Sequence, residues 1–459
     1  MDFQEVFYLI SKLSLYQDKM NRGLLSLEDK GDILKIVSRL ERLTNDLNKL
    51  TCSFGSLLDY DSLLNKGFNL DEVKKFMKED KYYIESCENK LKDNLEKREH
   101  MFGYPANMQK DSYVTKYLRT LESKTYLMNG CGDPEEQGNY QMDNKENEKE
   151  IVNLIMQNIN LNNHDYWGYI TTGGTEGNIW GINYGLNKYK DANLYYSNST
   201  HYSITKANLN GHNLYPIATD NDKVNLDFLL MQITTNYHMD HKPVVLILNF
   251  GTTKMGAVDD IKVIKEYLVK QNIPHYIHVD AALYGGIGAN QVNSPYIDFH
   301  DLNIDSISIS LHKYLGLHEC KGVVLAKREH IDKYIDYIGQ NDTTLCGSRD
   351  FPPFSTLQKV RQSLERQDKM AYIENINFFV NCMEEYDVPY WRGNEYGNTF
   401  IIEKPSDLIC EKYQLATFSN DNLEYAHVII FAYHDQKVIE ELVKELSYDK
   451  RKGKRYEKL

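Results

Sequence analysis

Four short segments of this sequence carry residue types that could do chemistry. In SISISLHKYLG (306–316), alternating Ser and Ile read as a short buried strand, with His312 and Lys313 standing where it should end. A lysine there is costly unless its amine has a partner. It could pair with a carboxylate; desolvated, it could also lose proton affinity and become an amine able to form a Schiff base. TTGGTEGN (171–178) follows the strand-like WGYI and opens a helix. Its paired glycines let backbone approach a ligand closely, the helix N-terminus offers free N–H groups, and Thr172 and Thr175 add hydroxyls. It has neither the GK[ST] of a P-loop nor the spacing of GxGxxG, so by itself it reads equally well as a Gly-rich turn. In HVDAALYGG, Asp280 ends an apolar strand. It could cap a helix, or place a carboxylate at the sheet edge where open α/β folds bind ligands. His201, in SNSTHYSITKA, lies just after another strand, where a lone histidine is usually unremarkable.

Taken together the four form an ordered set. Pyridoxal phosphate needs an anion cradle, a group to stack on its ring, an anion at its pyridine nitrogen and an amine for its aldehyde. The glycine loop, His201, Asp280 and Lys313 answer to those needs in turn.

Such groups converge only if the surrounding elements bring them to one place. From about residue 145 the pattern supplies this, with WGYITT, NLYYSN, NLYPIAT, PVVLILNF, HYIHVD, SISISL and GVVLAK as short apolar strands. Between them lie helical stretches such as GNIWGINYGLNKY, HYSITKANLN and DDIKVIKEYLVKQN. Alternation of this kind implies an α/β domain with a largely parallel sheet. Residues 1–100 are charged, Pro-free and helical by spacing and propensity. After about 345 the chain returns to helix and then forms a smaller α/β unit, with strands near TFIIEK and HVIIFAY and a closing helix at DQKVIEELVKEL. The boundaries expected are 1–130 for the mostly helical N-terminal segment, 131–345 for the large α/β domain and 346–459 for the small one.

The composition agrees with a globular protein. Of 459 residues, 41% are hydrophobic and 26% charged. A net charge of −13 argues against a nucleic-acid partner, and the basic DKRKGKRYEKL at the end reads as a solvated, frayed terminus. No apolar run reaches membrane-span length, and the N-terminus does not read as a signal peptide. Seven cysteines, at 52, 87, 131, 320, 346, 382 and 410, form no CxxC pair, which suits reduced thiols in a cytoplasmic protein. No metal site is expected.

From about 103 to 430 the sequence resembles the group II pyridoxal-phosphate-dependent amino-acid decarboxylases, and most closely their histidine and serine decarboxylase branch. The matching segments include GDPEEQGNY (132–140), YWGYITTGGTEGN (166–178), THYSITK (200–206), NFGTTKMGAVDD (249–260), HVDAA (278–282), SISLHK (308–313) and YIGQNDTTLCGSRD (337–350). The resemblance implies the aspartate-aminotransferase-like fold (fold type I) with a seven-stranded, mostly parallel sheet. It implies that Lys313 holds the cofactor covalently, that Asp280 pairs with the pyridine nitrogen, and that His201 and Ala282 lie on opposite ring faces. Gly174, Thr175, Ser310 and His312 would hold the phosphate, and Thr253 would lie near the phenolic oxygen or the substrate carboxylate. The family's site lies at a dimer interface, so Thr344, Gly347 and Ser348 would complete the phosphate site of the neighbouring subunit in an obligate homodimer.

The implied reaction is loss of CO2 from an L-amino acid, giving a primary amine. Histidine is the first substrate expected and serine the next; an aldehyde-forming or transaminating relative and a catalytically dead scaffold are the alternatives. Three departures from the family pattern bear on specificity. Leu311 replaces a glycine between Ser310 and His312, where it could narrow the pocket or shift the lysine. LGLHECKG (315–322) lacks a Pro-rich turn, and DFPPF (350–354) replaces an Asn-Gly turn.

Overall fold

The structure, a computed structural model, describes Ile36 and residues 83, 85–87, 89–122, 129–139, 143–288, 299–330, 334–365, 369–420 and 423–456. The chain divides into two compact units, 1–95 and 96–459. In the first, every described residue is helical and Ile36 is buried; the rest of the expected N-terminal helix lies outside the described residues.

The second unit is built on seven strands: β1 (Tyr166–Thr171), β2 (Asn193–Ser197), β3 (Asn213–Ile217), β4 (Val244–Asn249), β5 (His275–Asp280), β6 (Ser306–Ile309) and β7 (Gly322–Lys327). They are the seven runs that the apolar pattern marks. Their spatial order is β1-β7-β6-β5-β4-β2-β3. The five from β6 to β3 run parallel, whereas β7 is antiparallel to both β6 and β1. All six residues of β4 are buried, as expected of a parallel strand covered on both faces. In register, Asn249 lies opposite Asp280 and Asp280 opposite Ser308. The C-terminal ends of β4, β5 and β6 therefore stand side by side.

The helix Gly174–Lys188 follows β1 directly. On its buried face glycines recur at 177, 181 and 185, one turn apart. A Cβ at these positions would come 2.3 Å from Ser308 Oγ, 2.1 Å from His278 Nδ1 and 2.5 Å from Tyr276 Cδ1. The stripe lets the helix lie close enough to the sheet for those three polar side chains to fit beneath it. HYSITKANLN does not form the expected helix. Only a 3₁₀ turn, Tyr202–Lys206, appears, because Ala207 goes extended and Asn208 N–H is drawn to Asn183 Oδ1 at 3.0 Å.

A second hydrophobic core is separate from the first. It packs three antiparallel strands, β8 (Thr399–Glu403), β9 (Ala416–Asn420) and β10 (Leu423–Ile429), in the order β8-β10-β9. Helices Lys369–Glu385 and Gln436–Tyr456 and the distant Phe102 join it. Strand β9 escapes the sequence pattern because Thr417, Ser419 and Asn420 interrupt its apolar residues. The basic tail is no frayed coil: the last helix runs through it to Tyr456.

Candidate active site

A cavity of about 580 Å³ opens where these strand ends meet. Gly174, Thr175, His201, Thr253, Asp280, Ala282, Ser310, His312 and Lys313 all line it, so nine residues from five segments of the sequence converge. Thr344, Gly347 and Ser348 do not line the cavity of their own chain, although the intervening Leu345 and Cys346 do.

Lys313 sits in the single helical turn Leu311–Tyr314 that follows β6. Its amine makes no hydrogen bond or ion pair with any described residue. Burial lowers its pKa below the usual lysine range, and the Asp280 carboxylate opposes that shift only in part. The result is an amine biased toward its neutral, nucleophilic form.

Asp280 caps no helix, since the next one begins only at Tyr284, but its carboxylate is held at the sheet edge. Its Oδ1 accepts the Ala282 N–H at 3.1 Å, and its Oδ2 accepts Asn178 Nδ2 at 2.7 Å. Since Asn178 uses its amide to donate, its Oδ1 accepts from His278 Nε2 at 3.1 Å. His278 Nδ1 then accepts from Ser306 Oγ, 2.7 Å away, and Ser306 in turn accepts from Tyr276 OH at 2.8 Å. Complete burial pushes the His278 pKa down to about 3, which keeps the ring neutral and this pattern of donors fixed. Four side chains thus hold one carboxylate in place from behind. Nothing in the sequence pairs Asn178 with His278, although the glycine spacing over them is legible.

His201 caps the 3₁₀ turn, its Nδ1 accepting the Ser203 N–H at 3.2 Å. Burial and the nearby Lys313 lower its pKa, against the pull of Asp280. His312 Nδ1 lies 3.1 Å from the Lys321 carbonyl oxygen and so carries the proton; burial lowers its pKa as well. Thr253 is exposed on the cavity wall. The neighbouring Thr252 is tied down instead, donating to Asp222 at 2.5 Å and accepting the Ala257 N–H at 2.9 Å.

The glycine loop has the form of a cradle. Gly173 has φ +137°, a backbone state that side chains resist, and a Cβ at Gly174 would come 2.5 Å from Ser310 Oγ. Glu176 braces the loop by accepting Thr172 N–H and Oγ1–H, both at 2.7 Å, and Tyr169 OH at 2.9 Å. With an unbonded amine facing a pinned carboxylate, these residues fit pyridoxal phosphate.

The departures noted in the sequence resolve in physical terms. Leu311 is fully buried in the first core, so its side chain neither lines the cavity nor narrows it. The other two departures meet each other, for Lys321 Nζ donates to Asp350 Oδ2 at 2.8 Å and to its carbonyl at 3.1 Å.

A sequence profile described as the pyridoxal-dependent decarboxylase conserved domain matches residues 186–358. The histidine decarboxylase of Acinetobacter baumannii (strain AYE) is 31% identical over 365 residues, covering 76% of this chain and 90% of that protein. This chain belongs to the pyridoxal-dependent decarboxylase family. The histidine decarboxylase of Pseudomonas entomophila (strain L48) is 32% identical over 358 residues, with 75% and 85% covered. Among solved structures, L-methionine decarboxylase from Streptomyces sp. 590 superposes with a TM-score of 0.66 at 20% identity, covering 81% of this chain and 96% of that one, and shares the fold. The protein is therefore a pyridoxal-phosphate-dependent amino-acid decarboxylase, a carboxy-lyase of fold type I.

Proposed function

We propose that this decarboxylase converts L-histidine and one proton to histamine and CO2, as a cytoplasmic homodimer. The observation that carries the chemistry is the unbonded, depressed-pKa amine of Lys313 facing Asp280 across one cavity. The choice of histidine rests on relatives of that name in Acinetobacter baumannii, Pseudomonas entomophila and Morganella morganii. Pyridoxal phosphate, when bound, supplies the electron sink that makes loss of CO2 from an amino acid feasible.

The protein's part is to hold and orient. Lys313 is the amine that would anchor the cofactor. Asp280, oriented by Asn178 and the Ala282 N–H, would face the pyridine nitrogen and favour a proton there. His201 and Ala282 would cover the two ring faces. Gly174, Thr175, Ser310 and His312 would take the phosphate, and Thr253 would meet the phenolic oxygen or the substrate carboxylate. Which bond breaks is a matter of how the substrate carboxylate is turned, so positioning decides the reaction.

The dimer reading is supported by the loop that carries Thr344, Gly347 and Ser348. Its two ends are fastened to their own chain. Thr343 N–H donates to Asp133 at 2.8 Å, its carbonyl accepts Trp180 Nε1 at 2.6 Å, and Arg349 reaches Glu148 at 3.0 Å. Between those anchors the three residues stand off their own cavity, and a Cβ at Gly347 would meet open space. In the dimer proposed here they would enter the neighbour's site.

The test is CO2 release from all twenty amino acids by the protein loaded with pyridoxal phosphate, with the amine product identified. Histamine from histidine is expected. CO2 from another amino acid alone overturns the substrate, and an aldehyde with ammonia overturns the reaction. For the shared site, chains carrying Lys313→Ala are mixed with chains carrying Ser348→Arg. Activity that neither has alone is expected, and its absence sinks the dimer reading.

A further inference from the structure

Strand β10 alternates. Ala426 and Val428, with Ile430 just past the strand's end, enter the second core, while His427 and Ile429 line the cavity that holds Lys313. Only 8% of the His427 surface is exposed, and its Nδ1 is buried with no hydrogen-bond partner among the described residues. The ring of Phe418 meets it edge-on at 6.0 Å, an apolar contact that satisfies neither nitrogen. Leaving such a group unbonded is costly, and an apolar residue on this strand face would avoid that cost.

Two other histidines line the same cavity, and each has a ring nitrogen engaged, His201 by the Ser203 N–H and His312 by the Lys321 carbonyl. Asp280 and Asn178 are likewise bonded. Of the three, His427 has neither ring nitrogen hydrogen-bonded among the described residues, and it lies on the wall furnished by the second core. Burial holds the His427 pKa below its usual value, so the ring is neutral at neutral pH. A neutral imidazole offers one donor and one acceptor and is a poor counter-ion, which fits an uncharged polar group better than a carboxylate.

We infer that His427, through Nε2, the ring nitrogen that is not enclosed, hydrogen-bonds the side chain of the amino-acid substrate and selects a polar, uncharged one over an apolar one. The inference takes from the proposed function that an amino acid is held at Lys313. It adds where that amino acid's side chain lies and what reads it.

The experiment uses holoenzyme and the methyl esters of L-histidine, L-serine and L-methionine, which bind without a free carboxylate to lose. Dissociation constants are read from the cofactor's visible absorption for the natural protein, His427→Leu and His427→Asn. The natural protein is expected to bind the histidine or serine ester more tightly than the methionine ester. His427→Leu should weaken the tighter polar ester about tenfold or more and leave the methionine ester within about twofold. His427→Asn, which keeps a donor and an acceptor, should recover part of the loss. A natural protein that prefers the methionine ester overturns the inference, and so do variants that weaken all three alike or none. A selective loss without CO2 from histidine or serine leaves this recognition standing and removes the proposed reaction. Histamine production with unchanged selectivity does the reverse.

Discussion

His278 and His427 lie on strands of two different sheets, and both are buried histidines held below their usual pKa. Their surroundings could hardly differ more. His278 has both ring nitrogens bonded, to Asn178 and Ser306, and its strand neighbour Asp280 inherits the order. His427 has neither ring nitrogen hydrogen-bonded among the described residues, and its side chain lines the cavity. The contrast separates two uses of a buried polar group. A fully bonded one serves as scaffolding, and an unbonded one is spare capacity that a ligand can take up.

The most drastic way to break the comparison is to remove what both walls serve. Lys313→Ala should lose CO2 release down to background, and borohydride reduction should leave no cofactor fixed to the chain. Next comes the support. Asn178→Ala should lower kcat by roughly 10–100-fold, the usual scale for a group that orients a primary contact, and lower stability by about 1–3 kcal/mol. A denaturant midpoint equal to that of the natural protein would show that the Asn178 network carries no weight.

Replacing each histidine by leucine sharpens the contrast, since the signs should be opposite. His278→Leu leaves Asn178 and Ser306 unsatisfied and should destabilise by about 1–3 kcal/mol, whereas His427→Leu should stabilise the substrate-free protein by up to about 1 kcal/mol. The measurement is urea unfolding of both.

The pH dependence gives a gentler test. His278 titrates near 3 when folded but near 6.5 when unfolded, so the unfolded chain takes up the proton first. Its contribution to stability is whole above 6.5 and falls as pH drops below, by about 1.4 kcal/mol per unit. Glu148 and Asp259, raised by burial to about 6, act oppositely and lose stability as pH rises through that value. Only a difference between proteins isolates the histidine. Unfolding midpoints between pH 7 and 5 should fall less for His278→Gln than for the natural protein. The smallest effect is expected at Asp350→Asn, within about 1 kcal/mol, because that carboxylate is well exposed and Lys321 keeps the Asp350 carbonyl.

The strands could be read from the sequence because buried parallel strands are continuous apolar runs, which the period reveals without a partner. The residues that gather at the cavity were legible for a different reason, each being a polar or small residue at or just past the end of a strand. What stayed hidden depends on pairing across the fold. The glycines at 177, 181 and 185 are plain in GNIWGINYG, yet their purpose is set by Ser308, His278 and Tyr276 from other strands. Leu311 looked like an obstruction because a strand-end position does not say which way its side chain turns; the helical turn sends it into the core. His427 was in view within EYAHVII, where alternation alone places it off the second core. Only the cavity shows what it faces instead.

Strand β7 stands between β1 and β6, although it is the last of the seven to be synthesised. Among the described residues strand β1 has no other neighbour in that sheet, so the first of the seven to leave the ribosome waits for the last one, with Thr171 finally lying opposite Gly322. The glycine cradle between Gly174 and Ser310 cannot close before then. Assembly of this site is therefore slow and late by topology, since such distant pairings must bear their loop-closure entropy before any contact compensates it. A nascent chain stopped short of Gly322 is expected to leave β1 unprotected in pulsed hydrogen exchange.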